Sequence, residues 1–105
     1  HSVDEDTFAA LGKDGFVINI ARGSVIDEAA LVHALSTGVL SGAGLDVFES
    51  EPAVPQELLS MPRVAVTPHM GSDTDEVQDA LLRLVLSNLE AFFAGRPLLT
   101  PIPDK

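Results

Sequence analysis

The sequence of 105 residues contains no cysteine, which excludes a disulfide framework and a thiolate-based metal site. It also has no apolar run near the ~18 residues that a membrane-spanning helix needs. The segment from His1 to Asp6 is acidic, whereas a secretory signal peptide begins with basic residues followed by apolar ones. These absences are typical of a protein of a reducing compartment, and we expect a cytoplasmic location and no membrane partner.

Basic residues are few: six Lys and Arg against sixteen Asp and Glu give a formal net charge of −10. Because binding to nucleic acid requires clustered positive charge, the composition argues against a nucleic-acid partner. A negative surface also repels small anionic substrates at long range. Any anion site in this chain therefore depends on a local cation, which directs attention to Arg22. The hydrophobic content of 46% is that of a globular domain with a real core.

Helix and strand signals alternate along the chain, which is the pattern of an α/β fold with a parallel sheet. Asp27 is a typical N-cap for the second helix, and Ser2 with Glu5 forms a capping-box pattern before the first. The predicted strands cover residues 16–20, 43–48 and 63–67, and the predicted helices cover residues 3–11, 28–37 and 56–60. The first strand is apolar apart from Asn19, so we expect it to be buried on both faces.

A long helix is predicted at the end of the chain, from Ser72 or Thr74 to about Ala94. It would measure roughly 30 Å at ~1.5 Å per residue. Its apolar residues recur at helical spacing, but Leu82 and Leu86 lie off the main stripe, so two of its sides are apolar. We expect such a helix to pack against a neighbour that this chain does not contain.

Three ionisable residues follow the three predicted strands. Arg22 comes after the first strand, Glu51 after the second and His69 after the third. In an open parallel sheet, ligands bind in the crevice beyond the carboxyl ends of the strands. Arginine holds carboxylates through two parallel hydrogen bonds, and histidine donates and accepts protons near neutral pH. The pattern therefore indicates an enzyme that binds an anionic substrate and moves a proton.

Each of these residues also has a purely structural interpretation. Arg22 could be a strand-end arginine that extends into solvent, and His69 could be a loop or capping residue. A carboxylate beside the histidine would fix its tautomer and favour its charged form. Glu49 and Glu57 lie near Glu51, however, and spacing alone does not decide which acid would pair with the histidine.

Asp46 is an acid within an apolar strand, where a carboxylate is costly unless it has a partner. It is either a core acid bonded to backbone or a ligand contact at the edge of the sheet. The Gly-Ala-Gly run from Gly42 is not a dinucleotide fingerprint, because position 47 is Val47 and the run precedes a strand. We interpret it as a site of close strand packing. No spacing of histidines and acids suggests a metal site.

Three segments together resemble the D-isomer-specific 2-hydroxyacid dehydrogenases. They are Asn-Ile-Ala-Arg-Gly-Ser-Val-Ile-Asp-Glu-Ala-Ala-Leu from Asn19, Gly-Ala-Gly-Leu-Asp-Val-Phe-Glu-Ser-Glu-Pro from Gly42, and Thr-Pro-His-Met-Gly-Ser from Thr67. They occur in order over nearly the whole chain, and three motifs at matching separations are far more specific than one. The ending from Asn88 to Pro101 is most similar to the branch of glyoxylate and hydroxypyruvate reductases, which includes hydroxyphenylpyruvate reductases.

The resemblance implies a role for each candidate residue. Arg22 would bind the carboxylate and the keto oxygen of the substrate. His69 would give a proton to the carbonyl oxygen as hydride arrives from the nicotinamide, with Glu51 as its carboxylate partner. Asp46 would contact the nicotinamide carboxamide. The positions implied to bind the cofactor are Ile20, Ala21, Arg22, Asp46, His69 and Gly71.

The resemblance also implies how the chain is organised. Residues 1–71 would be the C-terminal half of a Rossmann-type NAD(P)-binding domain, and residues 72–105 a long helix and tail that pack on a substrate domain outside this sequence. The Gly-rich phosphate loop of the family is not among these 105 residues. The expected cofactor is NAD or NADP, with NADP favoured by the branch. The expected substrate is a small 2-keto acid such as glyoxylate or hydroxypyruvate, the intact enzyme is expected to be a homodimer, and the chain alone is expected to be inactive.

Two other functions stay open at this point. Some relatives in the family are corepressors that sense nicotinamide nucleotides, so the chain could be a binding module. It could also be an inactive fragment that self-associates through the apolar sides of its last helix. Neither a basic cluster nor the form of the tail supports the corepressor alternative.

Overall fold

A parallel three-stranded sheet organises the first part of the computed structural model, which describes residues 1–104. The chain divides into two units, His1–Gly71 and a second unit that begins at Ser72. In the first unit the strands are β1 at Phe16–Asn19, β2 at Gly42–Leu45 and β3 at Val64–Val66, paired in the order β1-β2-β3. The helices of this unit are α1 at Glu5–Leu11, α2 at Glu28–Ser36 and α3 at Gln56–Ser60. The predicted α/β class with a parallel sheet is confirmed.

The register of the sheet places the carboxyl ends of its strands at one edge. Asn19 at the end of β1 pairs with Leu45 at the end of β2, and Leu45 pairs in turn with Val66 at the end of β3. The segments that follow these three residues therefore leave the sheet side by side. These segments contain the three ionisable residues that the sequence singles out.

Capping residues explain where the first helices begin. The N-cap of α1 is Asp4, whose side chain accepts a hydrogen bond of 3.2 Å from the N–H of Thr7. The predicted capping box of Ser2 with Glu5 is wrong, because the N–H of Ser2 donates instead to the carbonyl oxygen of Val25 at 2.8 Å. The predicted N-cap of α2 is confirmed, since the side chain of Asp27 accepts from the N–H of the residue at position 30.

The core of the first unit lies on one side of the sheet. Phe8 of α1, Leu31 of α2 and Leu58 of α3 are its largest fully buried side chains. Val17 faces this core from β1, but Ile18 on the opposite face of the same strand is 68% exposed. The prediction that β1 is buried on both faces is therefore wrong for this chain. An apolar run shows that a strand prefers burial, but it does not show whether the covering element lies within the sequence.

Close strand packing explains the glycine at the start of β2. A Cβ atom on Gly42 would lie 2.5 Å from the carbonyl oxygen of Arg63 and 3.0 Å from the ring of Phe16. A side chain at this position would thus collide with both neighbouring strands. The interpretation of the Gly-Ala-Gly run as a packing feature is supported by these distances.

The second unit consists of helix α4, at Asp75–Phe93, and the segment that follows it. Thr74 is its N-cap and accepts a hydrogen bond of 3.2 Å from the N–H of Val77. The helix ends at Phe93, and Gly95 with a φ of 68° turns the chain away from it. Many large apolar side chains of α4 are exposed: Val77, Leu81, Leu82, Leu84, Val85, Leu86, Leu89, Phe92 and Phe93.

The amide side chain of Asn88 holds the segment after α4 against the helix. The Oδ1 atom of Asn88 accepts hydrogen bonds from the N–H groups of Leu99 at 2.9 Å and Thr100 at 3.2 Å. Its Nδ2 atom donates to the hydroxyl of Thr100 at 2.9 Å.

Within residues 1–104, no helix has both the length and the apolar content needed to cross a membrane.

Candidate active site

A buried asparagine shapes the loop after β1. Asn19 is 4% exposed, and its Oδ1 atom accepts a hydrogen bond of 3.1 Å from the N–H of Ala21. Its Nδ2 atom donates to the carbonyl oxygen of Arg22 at 3.0 Å. Both polar ends of the amide are therefore satisfied by the loop that carries the arginine. In the sequence Asn19 stands out only as a polar residue that interrupts an apolar strand, and that interruption was the available signal.

The loop after β1 also packs directly on the loop after β2. A Cβ atom on Gly23 would lie 2.0 Å from the carbonyl carbon and oxygen of Phe48 and 2.5 Å from the nitrogen of Glu49. Only glycine allows two backbones to approach this closely. The contact places Arg22 beside the segment that contains Glu51.

The guanidinium group of Arg22 is exposed at this edge of the sheet. Its Nη1 atom donates to the carbonyl oxygen of Ala21 at 2.7 Å, the one side-chain hydrogen bond of Arg22 among residues 1–104. Because guanidinium has five N–H donors, most remain available to a ligand. Arg22 lines an open depression of about 330 Å³ together with Glu51 and His69. The structure thus brings the three predicted residues to one place.

Glu51 and His69 form a close polar contact in this depression. The Oε2 atom of Glu51 lies 2.7 Å from the Nδ1 atom of His69, and Oε1 accepts a hydrogen bond of 3.0 Å from the N–H of Phe48. The bond to His69 and then the bond from Phe48 hold the pKa of the Glu51 carboxyl below its ordinary value. Glu51 is therefore ionised at neutral pH, and Nε2 is the ring nitrogen left to face a ligand.

The two competing acids do not contact this histidine. The side chain of Glu49 contacts Nε2 of His1, and its backbone N–H donates to the Oε2 atom of Glu28 at 3.1 Å. Glu57 lies in the first turn of α3. The pairing of Glu49 with the first residue of the chain had no signal in the sequence, since nothing in the spacing links the two.

Asp46 is 5% exposed, and its carboxylate is bonded within the chain. Its Oδ1 atom accepts from the hydroxyl of Thr67 at 2.5 Å and from the N–H of Met70 at 2.9 Å. Its Oδ2 atom accepts from the N–H of Gly71 at 2.8 Å. The Thr67 hydroxyl, followed by the Met70 N–H, lowers the pKa of this carboxyl below its ordinary value. The first alternative from the sequence, a core acid bonded to backbone, is thus observed.

The remaining positions predicted to bind the cofactor lie at the same edge. Ile20, directly after β1, is 73% exposed, and Ala21 follows it towards the arginine. Both line an apolar groove of about 360 Å³ that also includes Ile18. Gly71 closes the turn after β3 and is bonded to the buried aspartate. An exposed apolar surface at the carboxyl ends of parallel strands suits a flat nicotinamide ring.

A metal centre has no ligand set in the part of the chain that the structure describes. No group of three or more His, Asp or Glu side chains within residues 1–104 could hold a metal ion.

The three-stranded parallel sheet with its helices has the fold of a Rossmann-type nucleotide-binding domain. A family model described as "D-isomer specific 2-hydroxyacid dehydrogenase, NAD binding domain" matches residues 1–71. The chain belongs to this family, and the resemblance drawn from its three motifs is confirmed.

Curated relatives of the reductase branch align with nearly the whole chain. A glyoxylate/hydroxypyruvate reductase of Arabidopsis thaliana is 50% identical over 102 residues, which are 97% of this chain and 32% of the relative. A hydroxyphenylpyruvate reductase of Plectranthus scutellarioides is 50% identical over 102 residues, which are 97% of this chain and 33% of the relative. The chain spans about a third of the length of these relatives.

Solved structures share the fold at high similarity. An NADPH-dependent glyoxylate/hydroxypyruvate reductase from Sinorhizobium meliloti, in complex with NADP and malonate, superposes with a TM-score of 0.92 at 50% identity. The match covers 96% of this chain and 32% of that structure. The holo form of a D-mandelate dehydrogenase from Rhodotorula graminis gives a TM-score of 0.92 at 43% identity, over 99% of this chain and 30% of that structure. The predicted Rossmann-type fold is confirmed.

Proposed function

We propose that this chain carries the catalytic residues of an NAD- or NADP-dependent reductase for small 2-keto acids such as glyoxylate or hydroxypyruvate. The observation that carries the proposal is the depression shared by Arg22, Glu51 and His69, in which the acid and the imidazole are 2.7 Å apart. The family and the names of the relatives support the reaction class. The NADP complex of the similar Sinorhizobium meliloti enzyme supports NADP as the cofactor.

Arg22 is the substrate-binding residue of this proposal. It is an exposed cation in a chain whose net charge is −10. Within residues 1–104 its guanidinium makes one hydrogen bond, to the carbonyl oxygen of Ala21, so most of its N–H donors are free. Two parallel hydrogen bonds from a guanidinium match a carboxylate in geometry and charge. The arginine would therefore bind the carboxylate of a 2-keto acid and orient its keto oxygen towards the imidazole.

His69 and Glu51 supply the proton in this proposal. A bound nicotinamide would supply the hydride for the substrate carbon. With Nδ1 facing the Glu51 carboxylate, the ring presents Nε2 to the carbonyl oxygen and gives it a proton there. The carboxylate stabilises the charged imidazole before this transfer, and the neutral ring takes the proton back in the oxidation direction.

The nicotinamide-binding surface is proposed to consist of residues at the carboxyl ends of the strands. Ile20 and Ala21 would contact the ring through the exposed apolar groove beside β1, and Gly71 would line its other side. The family resemblance implies a contact of Asp46 with the carboxamide, but both of its carboxylate oxygens are already bonded within the chain. The Gly-rich phosphate loop of the family would come from sequence outside these 105 residues.

The two units of the chain are proposed to have different partners within a longer enzyme. Residues 1–71 would be the C-terminal half of the NAD(P)-binding domain. Residues 72–105 would form a long helix and tail that pack on the substrate domain, which is supported by the exposed apolar side chains along α4. We further propose that the intact enzyme is a cytoplasmic homodimer with no nucleic-acid partner.

A His69→Gln variant of the full-length protein that carries this segment tests the proposal. Loss of a positioned general acid should lower kcat for hydroxypyruvate by about 10²- to 10⁴-fold, with the affinity for NADPH or NADH preserved. Nucleotide oxidation measures the rate, and nucleotide fluorescence measures the affinity. A His33→Gln variant is the matched control, because His33 is exposed on α2. A His69→Gln enzyme with a wild-type rate would show that the proposal is wrong.

A further inference from the structure

His69 has an unusual backbone conformation. Its φ is 52°, and it is the single non-glycine residue with a positive φ between residues 1 and 104. Side chains with a Cβ atom rarely adopt this left-handed region, so it persists where the surrounding structure determines it. The structure must therefore contain groups that hold this turn in place.

The groups that hold the turn converge on one buried carboxylate. The donors to Asp46 come from both sides of the histidine: the hydroxyl of Thr67 before it, and the N–H groups of Met70 and Gly71 after it. The three bonds measure between 2.5 and 2.9 Å. The turn is also tied to β2 through the N–H of Thr67, which donates to the carbonyl oxygen of Leu45 at 2.9 Å.

The carboxylate is itself fixed in position. Asp46 directly follows β2, and its backbone N–H donates to the carbonyl oxygen of Asn19 at 3.0 Å. A Cβ atom on Gly71 would lie 3.1 Å from Oδ2 of Asp46, so the two groups are already close. The sheet thus provides a rigid base for three hydrogen bonds that surround the histidine.

We propose that Asp46 is a positioning residue: its buried carboxylate holds the turn of residues 67–71 so that the imidazole of His69 stays against Glu51. The inference rests on the proposed function only for its kinetic consequence. It differs from the role implied by the family resemblance, in which Asp46 acts on the cofactor. The two roles separate experimentally, because one changes the histidine and the other changes nucleotide affinity.

Two substitutions in the full-length protein test the inference. Asp46→Asn keeps the volume of the side chain but replaces one acceptor oxygen by an NH₂ donor, which opposes the N–H or hydroxyl that faced it. Thr67→Val keeps the shape and removes one donor while the carboxylate stays. Asp14→Asn is the matched control, because Asp14 is exposed and lies before β1.

The first readout is independent of catalysis. Diethyl pyrocarbonate modifies accessible imidazoles, and peptide mapping by mass spectrometry gives the rate at each histidine. Asp46→Asn should increase the rate at His69 several-fold, and Thr67→Val should increase it less, while His33 on α2 serves as the internal reference. The control variant should leave both rates unchanged.

The second readout measures kcat and nucleotide affinity separately. A misplaced imidazole should lower kcat for hydroxypyruvate by about 100-fold, the loss typical of a ~1 Å displacement of a reacting group, while the Kd for NADPH stays near that of the wild type. A large increase in Kd with unchanged modification of His69 would overturn the inference in favour of a cofactor contact. Unchanged values of all three quantities in Asp46→Asn would also overturn it.

The outcomes separate this inference from the proposed function. If the wild-type protein reduces no 2-keto acid but Asp46→Asn still releases His69 to modification, the positioning role stands and the proposed reaction fails. If Asp46→Asn does not fold, Thr67→Val decides. A His69 modification rate in Thr67→Val equal to that of the wild type would then overturn the inference.

Discussion

Glu51 joins the loop after β2 to His69 through its two carboxylate oxygens. Oε1 accepts from the N–H of Phe48 at 3.0 Å, and Oε2 lies 2.7 Å from Nδ1 of the imidazole. The backbone of the loop after β2 therefore orients the Glu51 carboxylate. The carboxylate in turn orients the imidazole of His69, which follows β3. Glu51 thus couples the backbone at Phe48 to the orientation of the His69 ring.

Replacing Glu51 with glutamine should slow the proposed reaction. The amide can still accept the bond from Phe48, but it cannot stabilise a charged imidazole as a carboxylate does. We expect kcat for hydroxypyruvate to fall by about 10- to 100-fold, a part of the ~10²- to 10⁴-fold that a positioned acid supplies. Steady-state kinetics of the full-length protein measure this, with Glu57→Gln on α3 as the control. A Glu51→Gln enzyme with an unchanged kcat would exclude the carboxylate from the mechanism.

The same variant should change how stability depends on pH. The hydrogen bond with His69, and then the Phe48 N–H, hold the pKa of Glu51 below its ordinary value of 4.5. A depressed pKa in the folded state gives stability that is fully present above 4.5 and is lost as the pH falls through the lowered value. The difference in urea midpoint between wild type and Glu51→Gln should therefore be constant at neutral pH and shrink as the pH falls from 4.5 through the lowered pKa. A difference that grows on acidification would contradict this assignment.

Arg22 should be sensitive even to replacement by lysine. Lysine keeps the charge but loses the planar pair of donors that matches a carboxylate. We expect KM for hydroxypyruvate to rise by about 10- to 100-fold, since hydrogen bonds to charged groups contribute about 1.5–3 kcal/mol. The change in kcat should be smaller.

The matched control for this substitution is Arg63→Lys. Arg63 precedes β3, at the amino ends of the strands, where its Nη1 atom lies 3.5 Å from the hydroxyl of Ser41. The Arg63→Lys substitution should leave KM for hydroxypyruvate unchanged. Equal effects of the two arginine substitutions would argue that charge alone, without a specific site at Arg22, governs binding.

The sequence predicted the location of the site because strand polarity determines it. Once the strands are parallel, the segments after Asn19, Leu45 and Val66 must leave one edge together, whatever their side chains are. The choice of Glu51 over its neighbours came from the motif, since spacing did not distinguish them. The short helix at Gln56–Ser60 was also predicted, with the bounds that are observed.

Other features depend on contacts that no local pattern reveals. The left-handed backbone of His69 lies between donors that reach Asp46 across more than twenty residues. The exposed face of β1 depends on what covers the sheet, which apolarity does not specify. Asn19 was visible as a polar residue in an apolar strand, but its two partners belong to a loop whose shape the strand pattern does not give.

Gly23 should be intolerant of even a methyl group. A Cβ atom there would lie 2.0 Å from the carbonyl carbon and oxygen of Phe48, which are backbone atoms that cannot rotate away. We expect Gly23→Ala to destabilise the protein by about 1–3 kcal/mol, as overpacking does, with the loss measured by chemical denaturation. The loops of Arg22 and Glu51 must also separate to relieve the collision, so kcat/KM should fall in the fraction that remains folded.

Gly38→Ala is the control that separates strain from collision. Gly38 has a φ of 77°, and a Cβ atom there would meet nothing within 4 Å. Its replacement should cost about 1 kcal/mol through backbone strain and leave kcat/KM unchanged, because it lies after α2 and away from the loops at the carboxyl ends of the strands. If Gly23→Ala matched wild type in both stability and kcat/KM, the close approach of the two loops would not be what assembles the site.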